Sequence, residues 1–127
     1  MKSTTVHTTS APAAIGPYSQ AVVHNGVVYC SGQIPLDPAT MQMVGATAAE
    51  QAEQVMKNLG AVLAAAGSGF DRVIRSTIFL TSMSDFVAVN EVYGRSFPTH
   101  KPARATVAVK ELPRGALVEI DCIAAVS

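Results

Sequence analysis

Residues 101–125, KPARATVAVKELPRGALVEIDCIAA, carry two runs of alternating side chains on either side of Leu112-Pro113-Arg114-Gly115. Ala105, Val107 and Val109 make one face of the first run, and Val118, Ile120, Cys122 and Ala124 make one face of the second. A period of two marks a half-buried strand, and the Pro-Arg-Gly punctuation between the runs predicts a hairpin. With the apolar positions turned to the core, Arg104, Thr106, Ala108 and Lys110 share the opposite face with Leu117, Glu119 and Asp121, because residues paired across strands project to the same side. The two residues with the most evident chemistry, Arg104 and Glu119, then point the same way. In that hairpin Lys110 sits across from Glu119, which leaves Arg104 about six residues, or roughly 20 Å, along the ladder. Unless a bulge shifts the register, an Arg and a Glu so placed serve one site only if they come from different subunits.

The composition agrees with an assembly. Of 127 residues, 49% are hydrophobic and 14% charged, so one domain over 1–127 has a sufficient core but few charges with which to cover a monomer. The formal net charge is zero and no basic run appears, which removes the usual electrostatic footprint of nucleic-acid binding. Met1 to Gln20 has no apolar run of signal-peptide length before Pro12 and Pro17, and no later run approaches a membrane span. A soluble, cytoplasmic protein that meets neither membrane nor nucleic acid is the expectation. Cys30 and Cys122 fall among apolar neighbours in strand-like runs, which predicts reduced, buried thiols. No His or Cys stands at metal-ligand spacing, and His7, His24 and His100 are assigned no role.

Working toward the N-terminus, Ser84 or Asp85 to Phe97 reads as a helix stopped by Pro98, with Phe86, Val89, Tyr93 and Phe97 as its buried stripe. Asn90 lies on that same face, and a buried amide needs partners; it either satisfies a neighbouring strand or loop or meets a ligand. Asp71 to Thr81 is apolar on both faces toward its end, as a central strand is. Thr47-Ala48-Ala49-Glu50 has the form of a capping box and opens a helix of about five turns ended by Gly67 and Gly69. Gly60 inside it predicts the close approach of another backbone. Pro35 to Gly45 is a loop, and Thr4 to Thr9 a short edge strand.

Asn25-Gly26 predicts a two-residue hairpin turn. Counting outward pairs His24 with Val27, Val22 with Tyr29 and Gln20 with Ser31, then sets Ser19 beside Gly32 and Tyr18 beside Gln33. Hydroxyls, amides and glycine backbone thus gather at the open end of the hairpin. They make either a small polar site or a polar strand end capped by a tyrosine. The whole reads as an α+β protein, a mixed sheet with two helices packed on one face.

Gly16-Pro17-Tyr18-Ser19-Gln20, Ser31-Gly32-Gln33-Ile34, the Asn90 helix with Tyr93 and Phe97, Pro102-Ala103-Arg104, and Leu112-Pro113 with Val118-Glu119-Ile120 together resemble the RidA/YjgF family of reactive-intermediate deaminases over essentially the whole chain. The resemblance implies a chorismate-mutase-like fold, a homotrimer with sites between subunits, and hydrolysis of 2-imino acids such as 2-iminobutanoate and 2-iminopropanoate to 2-oxo acids and ammonia. It implies no cofactor. It makes Arg104 the anchor of the substrate carboxylate, Glu119 of the neighbouring subunit the group that orients water, and Tyr18 a group that closes the pocket and hydrogen-bonds the substrate. Ser31, Gly32, Thr106 and Asn90 complete the binding site, with backbone N–H groups near Gly32 and Thr106 on the carboxylate and Asn90 holding the loops. Many relatives have Cys where this chain has Thr106, so an altered substrate preference and no thiol-based regulation are expected.

Two other readings stand beside this one. A trimer that binds small carboxylates without turnover uses the same Arg104. An RNA-cleaving or translation-inhibiting protein, as some members of the family are described, is disfavoured by the neutral charge and the lack of a basic, aromatic groove. For Arg104 itself the purely structural alternative is a salt bridge between subunits, with Asp121 or Glu119.

Overall fold

Asn25 and Gly26, at φ 54° and 74°, make the two-residue turn that their sequence predicts. In the computed structural model, which describes residues 2–126, they join strands β2 (Ala21–His24) and β3 (Val27–Gln33), paired His24 to Val27 and Val22 to Tyr29 as counted. Met1 and Ser127, the ends of the expected 1–127 domain, lie outside the described residues. Edge strand β1 (Thr4–Val6) adds to β2. The ladder between β2 and β3 stops after Ala21 and Cys30, with one more bond from the Ser31 N–H to the Gln20 carbonyl, so the counted pairs Ser19/Gly32 and Tyr18/Gln33 do not form.

Helix α1 (Ala48–Ala65) begins with the predicted capping box: Thr47 Oγ1 accepts from the Glu50 N–H, and the Glu50 carboxylate accepts from Thr47 N–H. It ends at Gly67, φ 80°, where the Gly67 N–H donates to the Ala64 carbonyl and the Ser68 N–H to Leu63, the paired bonds of a Schellman motif. Gly60 makes room for a side chain, not a backbone: a Cβ there would lie 3.0 Å from the ring of Phe70. Helix α2 (Phe86–Gly94) is shorter than predicted, with a 3₁₀ turn, Met83–Asp85, in front of it.

The C-terminal runs do form strands, β5 (Ala103–Ala108) and β6 (Val118–Ala125), but they are not a hairpin. Strand β4 (Val73–Leu80) lies between them, antiparallel to β6 and parallel to β5, in a six-stranded sheet ordered β1-β2-β3-β6-β4-β5. The connection 109–117 crosses β4 and is longer than the two to five residues usual in a hairpin loop. This insertion corrects the predicted faces. Inward β6 residues Val118, Ile120, Cys122 and Ala124 are buried as expected. On β5, however, Arg104, Thr106 and Ala108 pair with Ser76, Ile78 and Leu80 and share their helix-covered side, while Val107 is turned away and 41% exposed.

Both helices pack on one face of the sheet. The core joins Val55, Leu59, Val62 and Leu63 of α1 and Val89 and Tyr93 of α2 to Val28, Ile78, Leu80 and Ile120 of the sheet. Cys30 and Cys122 are free, buried and directly opposite each other; hydrogen bonding to Cys30, with burial, holds the Cys122 thiol protonated. No described helix is long and apolar enough to cross a membrane. Replacing Thr47 by Ala removes the cap and is expected to destabilise the fold by about 1 kcal/mol, with Thr47→Ser keeping most of it, read from urea midpoints at one protein concentration.

Candidate functional site

Strand β3 meets β6 with Cys30 opposite Cys122 and Gln33 opposite Ile120, so three steps on one strand match two on the other. The bulge this creates holds Ser31 and Gly32 beside Glu119. A Cβ on Gly32 would stand 2.8 Å from the carboxyl carbon of Glu119 and closer still to Oε2, so only glycine leaves that carboxylate where it is. Tyr18, Ser31, Gly32, Gln33, Arg114 and Glu119 line a cavity of about 570 Å³.

Buried amides hold the walls of this cavity. Gln20 takes the Thr8 N–H at 2.7 Å and donates to the carbonyls of Thr8 and Pro12, which fastens the N-terminal segment over the end of the sheet. Asn58 of α1 donates to the carbonyls of Ile34 and Leu36, and Gln51 bridges the Gly45 carbonyl and the Leu117 N–H. Ser31 spends its hydroxyl proton on the Ser19 carbonyl at 2.6 Å, which leaves it acceptor lone pairs. Tyr18 is half exposed; its hydroxyl oxygen accepts the Ile15 N–H at 3.3 Å, and its proton stays free to donate.

No hydrogen bond among the described residues ends on the Glu119 carboxylate. Burial, and next the negative charge of Asp121, push Glu119 above the usual carboxylate range. Asp121 is raised by burial too, against the pull of hydrogen bonds from Thr77 and the charge of Arg75. Glu119 is therefore a partly desolvated carboxylate that favours a proton or a cationic ligand.

Arg104 is elsewhere. It points to the helix side of β5, where its Nη1 donates to Asn90 Oδ1 at 2.6 Å and its guanidinium lies 5.1 Å from the ring centre of Tyr93 and 5.7 Å from that of Phe86. The Tyr93 hydroxyl donates to Ser76 Oγ at 3.0 Å, and burial raises its pKa. Asn90, Tyr93, Lys101 and Arg104 line a second cavity of about 460 Å³. Arg104 has no carboxylate partner among the described residues. Asn90 orients Arg104.

Arg104 and Glu119 thus lie on opposite faces of the sheet, which corrects the shared face expected of a hairpin. Phe79 pairs with Val107 on one side and Glu119 on the other, and Arg104 is three residues before Val107, so strand geometry puts the two Cα atoms roughly 14 Å apart. Tyr18, Ser31, Gly32 and Glu119 come together in the first cavity; Arg104 and Asn90 come together in the second. Thr106 lines neither. It follows Arg104 by two residues on the same face, and its buried Oγ1 has no hydrogen-bond partner among the described residues.

Residues 8–126 match the family described as Endoribonuclease L-PSP. Protein DfrA of Myxococcus xanthus is 62% identical over 121 residues, which cover 94% of this chain and 92% of that one. The 2-iminobutanoate/2-iminopropanoate deaminase of Mus musculus is 50% identical over 119 residues, 94% of this chain and 88% of the mouse protein. The crystal structure of RidA from an Antarctic Psychrobacter superposes with a TM-score of 0.93 at 43% identity, covering 97% of this chain and 99% of that one.

Two outcomes test the geometry of the first cavity. Gly32→Ala is expected to displace the Glu119 carboxylate while leaving the fold intact, seen as altered chemical shifts of the Glu119 side chain against an unchanged circular dichroism spectrum. Because the folded protein holds the Glu119 proton more tightly than the unfolded chain, the parent is favoured below the unfolded value of about 4.3 and loses that stability as pH rises through the folded pKa. Glu119→Gln has no such loss, so its melting temperature should exceed the parent's at neutral pH and the difference should vanish below about pH 4.

Proposed function

The chain belongs to the Endoribonuclease L-PSP family, the RidA/YjgF group that its motifs resemble, and from that membership we propose that it hydrolyses 2-imino acids and their enamine tautomers, 2-iminobutanoate and 2-iminopropanoate among them, to 2-oxo acids and ammonia. One observation carries the reading. A single chain exposes an unpaired, aromatic-stacked guanidinium on one side of its sheet and an unpaired, partly desolvated carboxylate on the other. An imino acid needs both, a cation for its carboxylate and a base beside its imine carbon. Two subunits placed around a cleft supply them, Arg104 from one and Glu119 from the next.

The outer face of the sheet supports such an assembly. Tyr29, Phe79, Val107 and Ile123 lie on it with no helix over them, and Tyr29 is 48% exposed. A homotrimer closed through this face brings neighbouring edges together at three equivalent clefts.

In the proposed cleft the guanidinium, held by Asn90 and by the rings of Tyr93 and Phe86, binds the substrate carboxylate with two parallel hydrogen bonds. Backbone N–H groups near Gly32 and the Thr106 hydroxyl complete that anchor. Glu119 accepts a proton from water as the oxygen bonds to C2 of the iminium, which gives a carbinolamine. It returns the proton to the nitrogen; the C–N bond then breaks and ammonia leaves, while Glu119 takes the hydroxyl proton as the carbonyl forms and passes it to the departing ammonia, which ends as ammonium. A carboxylate whose pKa is raised is a better base for the first step and a ready acid for the second. Tyr18 donates to the substrate at the cavity mouth. An iminium is already electrophilic, so much of the acceleration comes from holding water and substrate in line.

Release of 2-oxo acid from 2-iminobutanoate generated in situ tests the reading. Arg104→Ala and Glu119→Gln should each lower kcat/KM by about 100-fold or more, and the parent's rate should fall on the acid side with an apparent pKa above the usual glutamate range. Trimers reassembled from equal parts of the two inactive variants should recover activity, since about a quarter of the clefts then hold both intact residues. No recovery refutes the shared site. Carboxylate binding without acceleration by the parent establishes the rival, a non-catalytic binding protein.

A further inference from the structure

Arg114 stands in the turn Pro113–Gly115 and is one of the residues that line the cavity that holds Glu119 and Tyr18. Its backbone is left-handed, φ 59° and ψ 22°, a conformation disfavoured for any residue with a Cβ. Its Nη1 donates to the carbonyl of Met41 at 3.1 Å, and Met41 is itself left-handed at φ 60°. The loop beneath Met41 is braced by Asp37, whose carboxylate accepts from the N–H groups of Ala39 and Thr40 and whose carbonyl accepts from Met41. Two disfavoured conformations therefore meet at one contact, and what that contact fixes is the direction of the guanidinium of a cavity-lining residue. Backbone strain kept at such a place points to function.

The guanidinium is also underused. Of its five N–H donors one meets Met41. The ion pairs among the described residues belong to Arg95, with Glu53 and Glu91, and none joins Arg114 to the Glu119 carboxylate in the same cavity. A cation and a carboxylate that line one cavity without pairing leave space for a ligand that answers both. The volume, about 570 Å³, is in the range that holds drug-sized ligands and exceeds the need of a three- or four-carbon imino acid.

We propose that Arg114 is a specificity residue that binds a second carboxylate at the far end of the substrate, so that the site prefers imino acids of the dicarboxylic type over aliphatic ones of equal chain length. The identity of the site rests on the deaminase reading, with the α-carboxylate held by the neighbour's Arg104. The anion preference itself requires no turnover. Ile34 and Leu36, which line the same cavity, suit the carbon chain between the two acids.

Binding separates the two claims. Titration calorimetry compares 2-oxopentanedioate with 2-oxopentanoate, which differ only in the terminal carboxylate, on the intact protein, on Arg114→Gln and on Arg114→Lys. The parent should bind the diacid at least about 10-fold more tightly; Arg114→Gln should weaken the diacid by about 10- to 100-fold and bring the ratio toward one, with Arg114→Lys between. Equal affinity of the parent for both acids overturns the proposal. An equal loss for both in Arg114→Gln overturns it as well, and makes Arg114 the α-carboxylate anchor. The same comparison is made on turnover with 2-iminobutanedioate and 2-iminobutanoate. A diacid preference in binding with no acceleration of either imine supports the role of Arg114 and overturns the deaminase reading alone.

Discussion

Strand β6 is paired on both sides, with β3 and with β4, and the position of each cavity follows from that double pairing. Its period of two is fixed by burial: Val118, Ile120, Cys122 and Ala124 lie under α1, so Glu119, Asp121 and Ile123 have only the outer face. Because β4 occupies the far side of β6, β5 can join the sheet only beyond β4. It arrives through α2 as a parallel strand, and the parallel register matches Arg104 to Ser76 on the helix side. A cation under the helices and a carboxylate outside them are thus two results of one strand order.

The local geometry then decides what each charge meets. One extra residue in β3 turns Gly32 toward Glu119, and the missing Cβ is the space the carboxylate occupies. On the other face α2 presents Phe86, Asn90 and Tyr93 at intervals of three and four residues, a stripe that stacks the guanidinium and turns one of its edges. Neutral amides carry the structural load: Gln20, Gln51 and Asn58 satisfy carbonyls and N–H groups of the loops that wall the first cavity. The charged residues of the two cavities form no ion pairs among the described residues, an arrangement disfavoured in an empty site and complementary to a small zwitterionic ligand.

Local chemistry was legible in the sequence, and strand order was not. Asn25-Gly26, the Thr47 box and the Gly67 stop each depend on a few adjacent residues, and each appears where it was predicted. The alternation of β5 and β6 is equally plain, yet alternation does not say which strand lies next to which. A turn-like Leu112-Pro113-Arg114-Gly115 made a hairpin the simplest arrangement. The length of 109–117 was the available warning. The same error assigned the wrong faces to Val107 and Arg104. Asn90 was found because an amide on an apolar stripe needs a partner; Gln51 and Asn58 sit seven residues apart on the buried stripe of α1 and carry the same signal. Arg114 gave none, since a left-handed arginine in a turn is a property of the backbone.

In the proposed assembly, association and chemistry would be coupled. A subunit alone keeps Arg104 and Glu119 on opposite faces, and no side-chain rotation carries either through a packed sheet. Closure through the outer face would bury Tyr29, Phe79, Val107 and Ile123, apolar surface that makes association favourable without the ligand. It would remove further water from Glu119 and Asp121, which burial already pushes toward protonation. The same contacts that stabilise the assembly would therefore raise the basicity of the carboxylate on which the proposed hydrolysis depends. Selection for a stable interface and selection for a good base would then act on the same face of the sheet, which Glu119 shares with Ile123 of β6 and Phe79 of β4.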